Sequence, residues 1–441
     1  MSRRPALSGL RPGPALAVPC VLWALLGLAV SLGMLPLSAW WLAAALLALV
    51  LLADARQLLR QPTPDIAREL AEVLPLGIEI PVQLQLQSPR AQRLDVFDHL
   101  PGEWPAHGLP QRLALLPGQA TLLTYRTRAG RRGSACFDGV DLRLHSRWRL
   151  WRQLRHAGPV QQVRVYPDFM PLARLALHGA EQASQLVGAH LQRRRGEGTD
   201  FHQMRDYRQG DSLRHIDWKA TTRAGRLVSR QYQDERNQQL VLLLDTGQRM
   251  LAEDDGRSHF DDALNASLLL AWLALRQGDA VALAAHGGPS RWVPGQRGPA
   301  HLEKLLRAAH DLHPSEDPTD FLEAAGTLAH RQRRRALVVL VTNLREEDHA
   351  DVLAAVDLLR QRHLVCVASL REEVLTRMLV PDRDDPGSAR DAAAAAQYLA
   401  RREALYQALR RHRVDVIDAS PAELPAALVS HYLQRKRAGI L

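Results

Sequence analysis

The residues whose types and spacing could do chemistry fall into two groups. The first runs Gly196-Glu197-Gly198-Thr199-Asp200-Phe201, then Met204-Arg205-Asp206-Tyr207-Arg208-Gln209-Gly210-Asp211, then Arg214-His215-Ile216-Asp217-Trp218-Lys219, with Arg223, Arg226 and Arg230 after it. Charges of both signs alternate with single aromatics. A merely solvated charge run has no need of Phe201, Tyr207, Ile216 and Trp218 at such intervals. One reading is a salt-bridged clamp, in which Asp211 or Asp217 pairs with an arginine and Trp218 is buried behind them. The other is an anion or partner site built on Arg205, Arg214, Lys219 and Arg223, because cations of this kind recognise carboxylates and phosphates. The second group lies further on. An apolar run, Leu240–Leu244, ends in Asp245. In an open α/β sheet, ligands bind at the carboxyl ends of the strands. That rule places Asp245, Thr246, Thr342 and Asn343 on one rim, with Thr319 and Asp320 within reach after Pro318.

Other chemistry is excluded. The chain has no Gly-Lys dipeptide, hence no Walker-type phosphate loop. It has no H-E-x-x-H and no G-x-S-x-G. Gly196-x-Gly198 lacks the third glycine of a dinucleotide fingerprint. His310-x-x-His313 reads as a surface pair, and Glu253-Asp254-Asp255 as a solvated turn. Cys20, Cys136 and Cys366 stand far apart and form no C-x-x-C, so they read as free buried thiols. The 441 residues carry 57 basic against 47 acidic side chains, a net charge of +10. Lysine occurs only at Lys219, Lys304 and Lys436. The excess is therefore arginine, in a chain also rich in alanine and leucine, and it does not call for a nucleic-acid partner.

Three kinds of element must position these groups. Residues 12–53 hold no charge. As one helix they would run ~63 Å, twice the bilayer core. Gly33-Met34-Leu35-Pro36-Leu37-Ser38 breaks them into spanning helices Leu16–Gly33 and Ser38–Ala53. Trp40 and Trp41 take the interfacial position. Arg3, Arg4 and Arg11 precede this hairpin, and Arg56 and Arg60 follow it. Excess Arg marks the cytoplasmic side, so both termini are expected there. Next, Asp65–Leu74 reads as a short amphipathic connector. Period-2 alternation in Ile78–Gln87 begins a series of short strands: Leu94–Phe97, Arg112–Leu116, Ala120–Arg128, Gly139–Trp148 and Val160–Tyr166. Such a series suggests a small antiparallel sandwich. From 240 onward, apolar strands Leu240–Leu244, Ala280–Ala285, Arg335–Val341, Leu364–Leu370 and Val414–Ile417 alternate with helices. This implies an α/β fold with a mostly parallel, doubly wound sheet. The expected domains are a transmembrane hairpin (1–60), a β-rich sandwich-like domain (61–175), the charged segment (176–239) and the α/β domain (240–441).

The order G-E-G-x-D-F, R-x-Y-x-x-G-D, R-x-I-D-W-K and then an apolar strand ending in Asp resembles the bacterial family called domain of unknown function 58. The carboxyl end, Tyr432-Leu433-x-x-Lys436-x-x-Gly439, agrees with the family layout. The resemblance implies a Rossmann-like, von Willebrand factor type A-like domain, a membrane anchor and work with MoxR-type AAA+ ATPases. It implies no reaction. The type A metal pattern, D-x-S-x-S with a later Thr and a later Asp, would use oxygen ligands suited to Mg²⁺. Asp245 matches its first position. Gly247 and Arg249 replace both serines, Thr319 matches the loop Thr, and Asn343 stands in place of the last Asp. Either Arg249 pairs with Asp245 or the rim is a degenerate protein-binding surface. The expectation is thus a non-enzymatic scaffold of the bacterial inner membrane without metal or cofactor, its main domains cytoplasmic, bound to a protein partner. The alternative is a metal-dependent hydrolase using Asp245.

Overall fold

Residues 12–53 carry no charged side chain. In the computed structural model, which describes residues 9–102, 104–169, 200–208, 213, 216–233, 238–254, 257–380 and 386–439, this sequence is a helical hairpin. A 3₁₀ turn, Pro14–Leu16, leads into α1 (Ala17–Ser31), and α2 follows (Leu37–Leu59). Both are long and apolar enough to cross a membrane, and their spans are 0% and 6% buried. Trp23 and Trp40 stack across the hairpin at 4.8 Å. Gly27 permits the approach, since a Cβ there would lie 2.9 Å from Trp40 Nε1. The second helix runs six residues beyond the expected Ala53. Its final turns are amphipathic and serve a different partner. Leu58 enters the β core, Trp151 Nε1 donates to the Leu51 carbonyl, and Arg155 Nη2 donates to that of Leu58.

Two compact units divide the chain, Met1–Tyr166 and Pro167–Leu441. The first adds two antiparallel-rich sheets to the hairpin. Its strands are β1 (Leu10–Pro12), β2 (Asp65–Glu69), β3 (Val73–Pro75), β4 (Glu79–Gln87), β5 (Gln92–Asp98), β6 (Ala106–His107), β7 (Gln111–Leu115), β8 (Ala120–Arg128), β9 (Gly133–His145) and β10 (Trp151–Tyr166). One sheet has the order β1-β10-β9-β5-β7, with β3 beside β10, and the other β2-β4-β8-β6. The alternation in β4 has the expected effect. Val82, Leu84 and Leu86 share one buried cluster with Leu94, Val96, Leu142 and Leu144. The connector expected over Asp65–Leu74 is instead β2 and β3. The register of β2 on β4 puts Arg68 inside, where it makes a bidentate pair with Asp98. Tyr125 donates to the same carboxylate.

The second unit holds a hairpin, β11 (Asp200–Asp206) with β12 (Val228–Gln233), and between them the seven-residue α3 (Trp218–Ala224). Strands β13 (Gln239–Asp245), β16 (Ala280–His286), β17 (Arg291–Gln296), β18 (Leu337–Thr342), β19 (Leu364–Leu370) and β20 (Asp415–Ala419) form one sheet ordered β17-β16-β13-β18-β19-β20, with a two-residue ribbon of β14 (Glu253–Asp254) and β15 (Arg257–Ser258) apart from it. All neighbours in the six-stranded sheet are parallel except the edge strand β17, which the sequence reading lacked. The helices are α4 (His259–Arg276), α5 (Ala300–Ala309), α6 (Phe321–Arg331), α7 (His349–Arg360), α8 (Glu373–Met378), α9 (Pro386–Arg411) and α10 (Leu424–Arg437). A strand buried on both faces needs apolar residues at every position. In β13, Leu240, Leu242 and Leu244 join one core with α4 and α10. Val241 and Leu243 join the other, with α6, α7 and α9. The cysteines depart from expectation: Cys366 is buried in β19, while Cys20 and Cys136 are exposed. In the carboxyl-terminal motif, Tyr432 and Lys436 both donate to Asp279 Oδ2, tying α10 to the turn before β16.

Candidate functional site

The rim at the carboxyl ends of β13 and β18 brings together three of the residues that spacing selected. Asp245 is buried, and both of its oxygens are already in use. Oδ1 accepts from the Gly247 amide at 2.8 Å and from Thr319 Oγ1 at 2.5 Å. Oδ2 accepts from Thr342 Oγ1 at 2.6 Å. Glycine at 247 is dictated by the same contacts, because a Cβ there would stand 2.2 Å from Thr319 Oγ1. A serine in that place would displace the threonine. Thr246 faces elsewhere, donating to the His286 carbonyl. Asp320 caps α6 by accepting from the Glu323 amide.

Arg249 does not pair with Asp245. Its guanidinium makes a bidentate pair with Asp348, with Nε at 2.8 Å from Oδ2 and Nη2 on Oδ1. It also lies over the Phe321 ring. Asp348 is buried, and burial pushes its carboxyl up, helped by the charge of Asp245 and opposed by the Arg345 amide and Arg249. Asn343 is equally engaged. Its Nδ2 donates to Glu372 at 2.6 Å, and its Oδ1 accepts from Arg402. Arg402 is fully buried and reaches Ser369, Glu372, Asp418 and the Leu370 carbonyl as well.

These residues do not fit a hard dication. Mg²⁺ needs about six oxygen ligands at ~2.0–2.1 Å. Here both oxygens of the pattern's one carboxylate already accept from protein donors, and the expected second carboxylate is an amide held between Glu372 and Arg402.

Sequence reasoning passed over Asp348, Arg402 and His259, and it misplaced Asp254. Asp348 ends the run Glu346-Glu347-Asp348, which reads as solvated. Arg402 carried a signal: it shares the i, i+3, i+4, i+7 stripe of α9 with Leu405, Tyr406 and Leu409, all buried. Asp254, expected in a solvated turn, is buried and bound to His259 Nε2 at 2.8 Å and to the Glu373 amide at 2.9 Å. Burial would raise its carboxyl, but these donors prevail and hold it below the usual range.

In the charged segment, Asp211 and Arg214 lie outside the described residues. Asp217 is buried and caps α3, accepting from the Ala220 amide at 2.9 Å. Its own amide donates to the Val228 carbonyl, and Ile216 bridges to Ser229. Gly225 closes α3 in the left-handed conformation, φ 64°. The cap and the bridge hold α3 on β12. Trp218 contradicts the clamp reading, since it is 66% exposed rather than buried. Lys219 and Arg223, one turn apart, are exposed on the same short helix. Arg205 on β11 donates to the Asp206 carbonyl at 3.0 Å, and Arg226 pairs with Asp206 on the surface.

Comparison with known proteins agrees with the sequence signature. Residues 203–415 match the family described as protein of unknown function DUF58. The chain is 27% identical over 146 residues to the uncharacterized protein YeaD of Bacillus subtilis, covering 33% of this chain and 34% of that protein. It is 26% identical over 202 residues to the uncharacterized protein Rv1480 of Mycobacterium tuberculosis, covering 45% of this chain and 60% of that one. The chain thus spans less than two thirds of each of these relatives. Among solved structures, an aerotolerance-related membrane protein from Bacteroides fragilis aligns over 46% of this chain and 99% of its own, with 14% identity and a TM-score of 0.27. Proximal thread matrix protein 1 from the mussel byssus aligns over 46% of each chain, with 10% identity and a TM-score of 0.26.

Proposed function

We propose that this DUF58-family chain is a membrane-anchored, non-enzymatic scaffold. Its α/β unit, which we read as von Willebrand factor type A-like, binds a protein partner, a MoxR-type AAA+ ATPase, during assembly or maturation of other proteins. The observation that carries this reading is Trp218. A large aromatic costs free energy when left in water, and Trp with neighbouring Arg is the usual composition of a binding hot spot. Here the aromatic is presented on a capped helix beside Lys219 and Arg223, which suits a partner surface carrying carboxylates. The closed rim supports the non-enzymatic part, because Asp245 is spent on internal hydrogen bonds. The alternative, a metal-dependent hydrolase, would need that carboxylate released.

The hairpin supplies the anchor. Its apolar side chains face outward along both helices, and Arg residues flank it on both sides. We therefore place it in the bacterial inner membrane with both termini and the main domains on the cytoplasmic side. Co-purification of the detergent-solubilised full chain with a MoxR-type ATPase tests the reading. Retention of the ATPase by the wild-type chain, and its loss with Trp218→Ala, is the expected result. Equal retention by both chains would defeat it.

A further inference from the structure

His99, Asp141 and His156 meet on the outer face of the sheet β10-β9-β5. The strand register brings them together. Asp141 on β9 and His156 on β10 are direct cross-strand partners. Phe97 on β5 stands opposite Asp141, and the His99 amide donates to the Gly139 carbonyl at 3.0 Å, continuing that pairing one step past the strand. His99 Nε2 lies 2.8 Å from Asp141 Oδ2, and His156 Nδ1 lies 2.9 Å from Oδ1. Two further contacts border the rings. Phe97 packs edge-on against His99. Gly139, at φ +96°, leaves open the space that His156 fills, since a Cβ there would come within 2.7 Å of its Nε2. The neighbouring Asp98 points inward to Arg68 and Tyr125, so Asp141 is the carboxylate that faces both imidazoles.

We infer that His99, Asp141 and His156 form a binding site for a divalent first-row transition ion of the Zn²⁺ type, held by His99 Nε2, His156 Nδ1 and one Asp141 oxygen. Two imidazoles and a carboxylate are a ligand set suited to such ions rather than to Mg²⁺ or Ca²⁺. The three ligand atoms lie within 4.8 Å of one another. Tetrahedral Zn²⁺ with bonds of ~2.0–2.2 Å places its ligands ~3.3–3.6 Å apart, so an ion would close the widest separation by up to ~1.5 Å and open the imidazole–carboxylate contact it enters by ~0.5 Å. The side chains can make that adjustment. They are 41%, 26% and 54% exposed for His99, Asp141 and His156, and so are not locked by packing. The same exposure leaves the remaining coordination position open to water.

The test uses the full-length chain, without an affinity tag, in detergent and stripped of metal. ZnCl₂ is titrated calorimetrically, and CoCl₂ by visible absorption. The chain has 18 histidines, so the variants decide whether any binding is local. We expect one ion per chain with micromolar affinity or better, and a tetrahedral Co²⁺ spectrum. His99→Ala and His156→Ala should each weaken binding by ~100-fold or more, beyond the ~10–100-fold that outer-shell partners contribute. Their melting temperatures should match that of the metal-free wild type. His107→Ala, on the short strand β6, should bind as the wild type does. Binding no tighter than millimolar would overturn the assignment, and so would tight binding that survives in both His99→Ala and His156→Ala.

Discussion

Arg249 grips Asp348 in a bidentate pair at the edge of the β13 rim, and the two residues are 99 positions apart in the chain. The pair holds Arg249 away from Asp245. Both side chains are nearly buried, at 11% and 2% exposed. Removing one partner of such a pair strands a charge and costs ~3–5 kcal/mol. Arg249→Ala should therefore lower the melting temperature of the full chain clearly. The double variant Arg249→Ala/Asp348→Ala should recover part of that loss. Equal melting of Arg249→Ala and wild type would show that the pair is not formed.

A related expectation concerns Asn343. Changing it to aspartate restores the carboxylate that a type A metal pattern calls for. In this structure the new oxygen would face Glu372 Oε1, which now accepts from Asn343 Nδ2. Asn343→Asp should lower the melting temperature and add no calorimetric Mg²⁺ binding. A gain of micromolar Mg²⁺ affinity would show that the rim can open to metal.

The pH dependence of the second unit has a defined sign. His301 and His363 are buried, and burial pushes both below the usual imidazole range, with the charges of Lys304 and Arg362 adding to it. The folded state keeps them neutral, while the unfolded chain protonates near pH ~6.5. Their stability contribution is complete above that pH and is lost as pH falls through it toward the depressed folded values. Thermal melting should decline between about pH 7 and 5. His301 Nε2 hydrogen-bonds the Val281 carbonyl at 2.8 Å, so His301→Gln keeps a donor without the titration and should flatten the decline. An unchanged slope in that variant would assign it to other groups.

Much of this architecture was legible in the sequence because strand and helix periods differ. Ala120–Arg128 and Leu364–Leu370 were read to the residue. Asp65–Leu74 was misread because its two short strands are set by pairing with β4 and β10, not by any alternation of their own. The rim positions of Asp245 and Thr342 follow from strand ends, and that of Thr319 from the helix start after Pro318. Where each charge finds its partner does not. Arg249 with Asp348, and Arg402 with Glu372, are long-range pairs decided by how helices pack on the sheet. The exposure of Trp218 also escaped sequence reading, since an aromatic among charges can either anchor the segment or be presented by it.

Loss of the helix cap separates folding from binding in the charged segment. Asp217→Ala removes the cap of α3 and should cost ~1 kcal/mol of local stability. Amide exchange in residues 218–224 should then quicken while the β13–β18 strands stay protected. Acceleration throughout the sheet would mean that the segment is part of one cooperative core.

The central claim is that the exposed face of α3 binds a protein partner. Its most direct test is the dissociation constant of a MoxR-type AAA+ ATPase for the full-length chain in detergent, measured for wild type, Trp218→Ala and Arg223→Ala with melting recorded on the same samples. Each substitution is expected to weaken binding by at least ~30-fold, in line with ≥ ~2 kcal/mol for a hot-spot residue, and to leave melting unchanged. Wild-type affinity in both variants, or no binding by the wild-type chain, would contradict it.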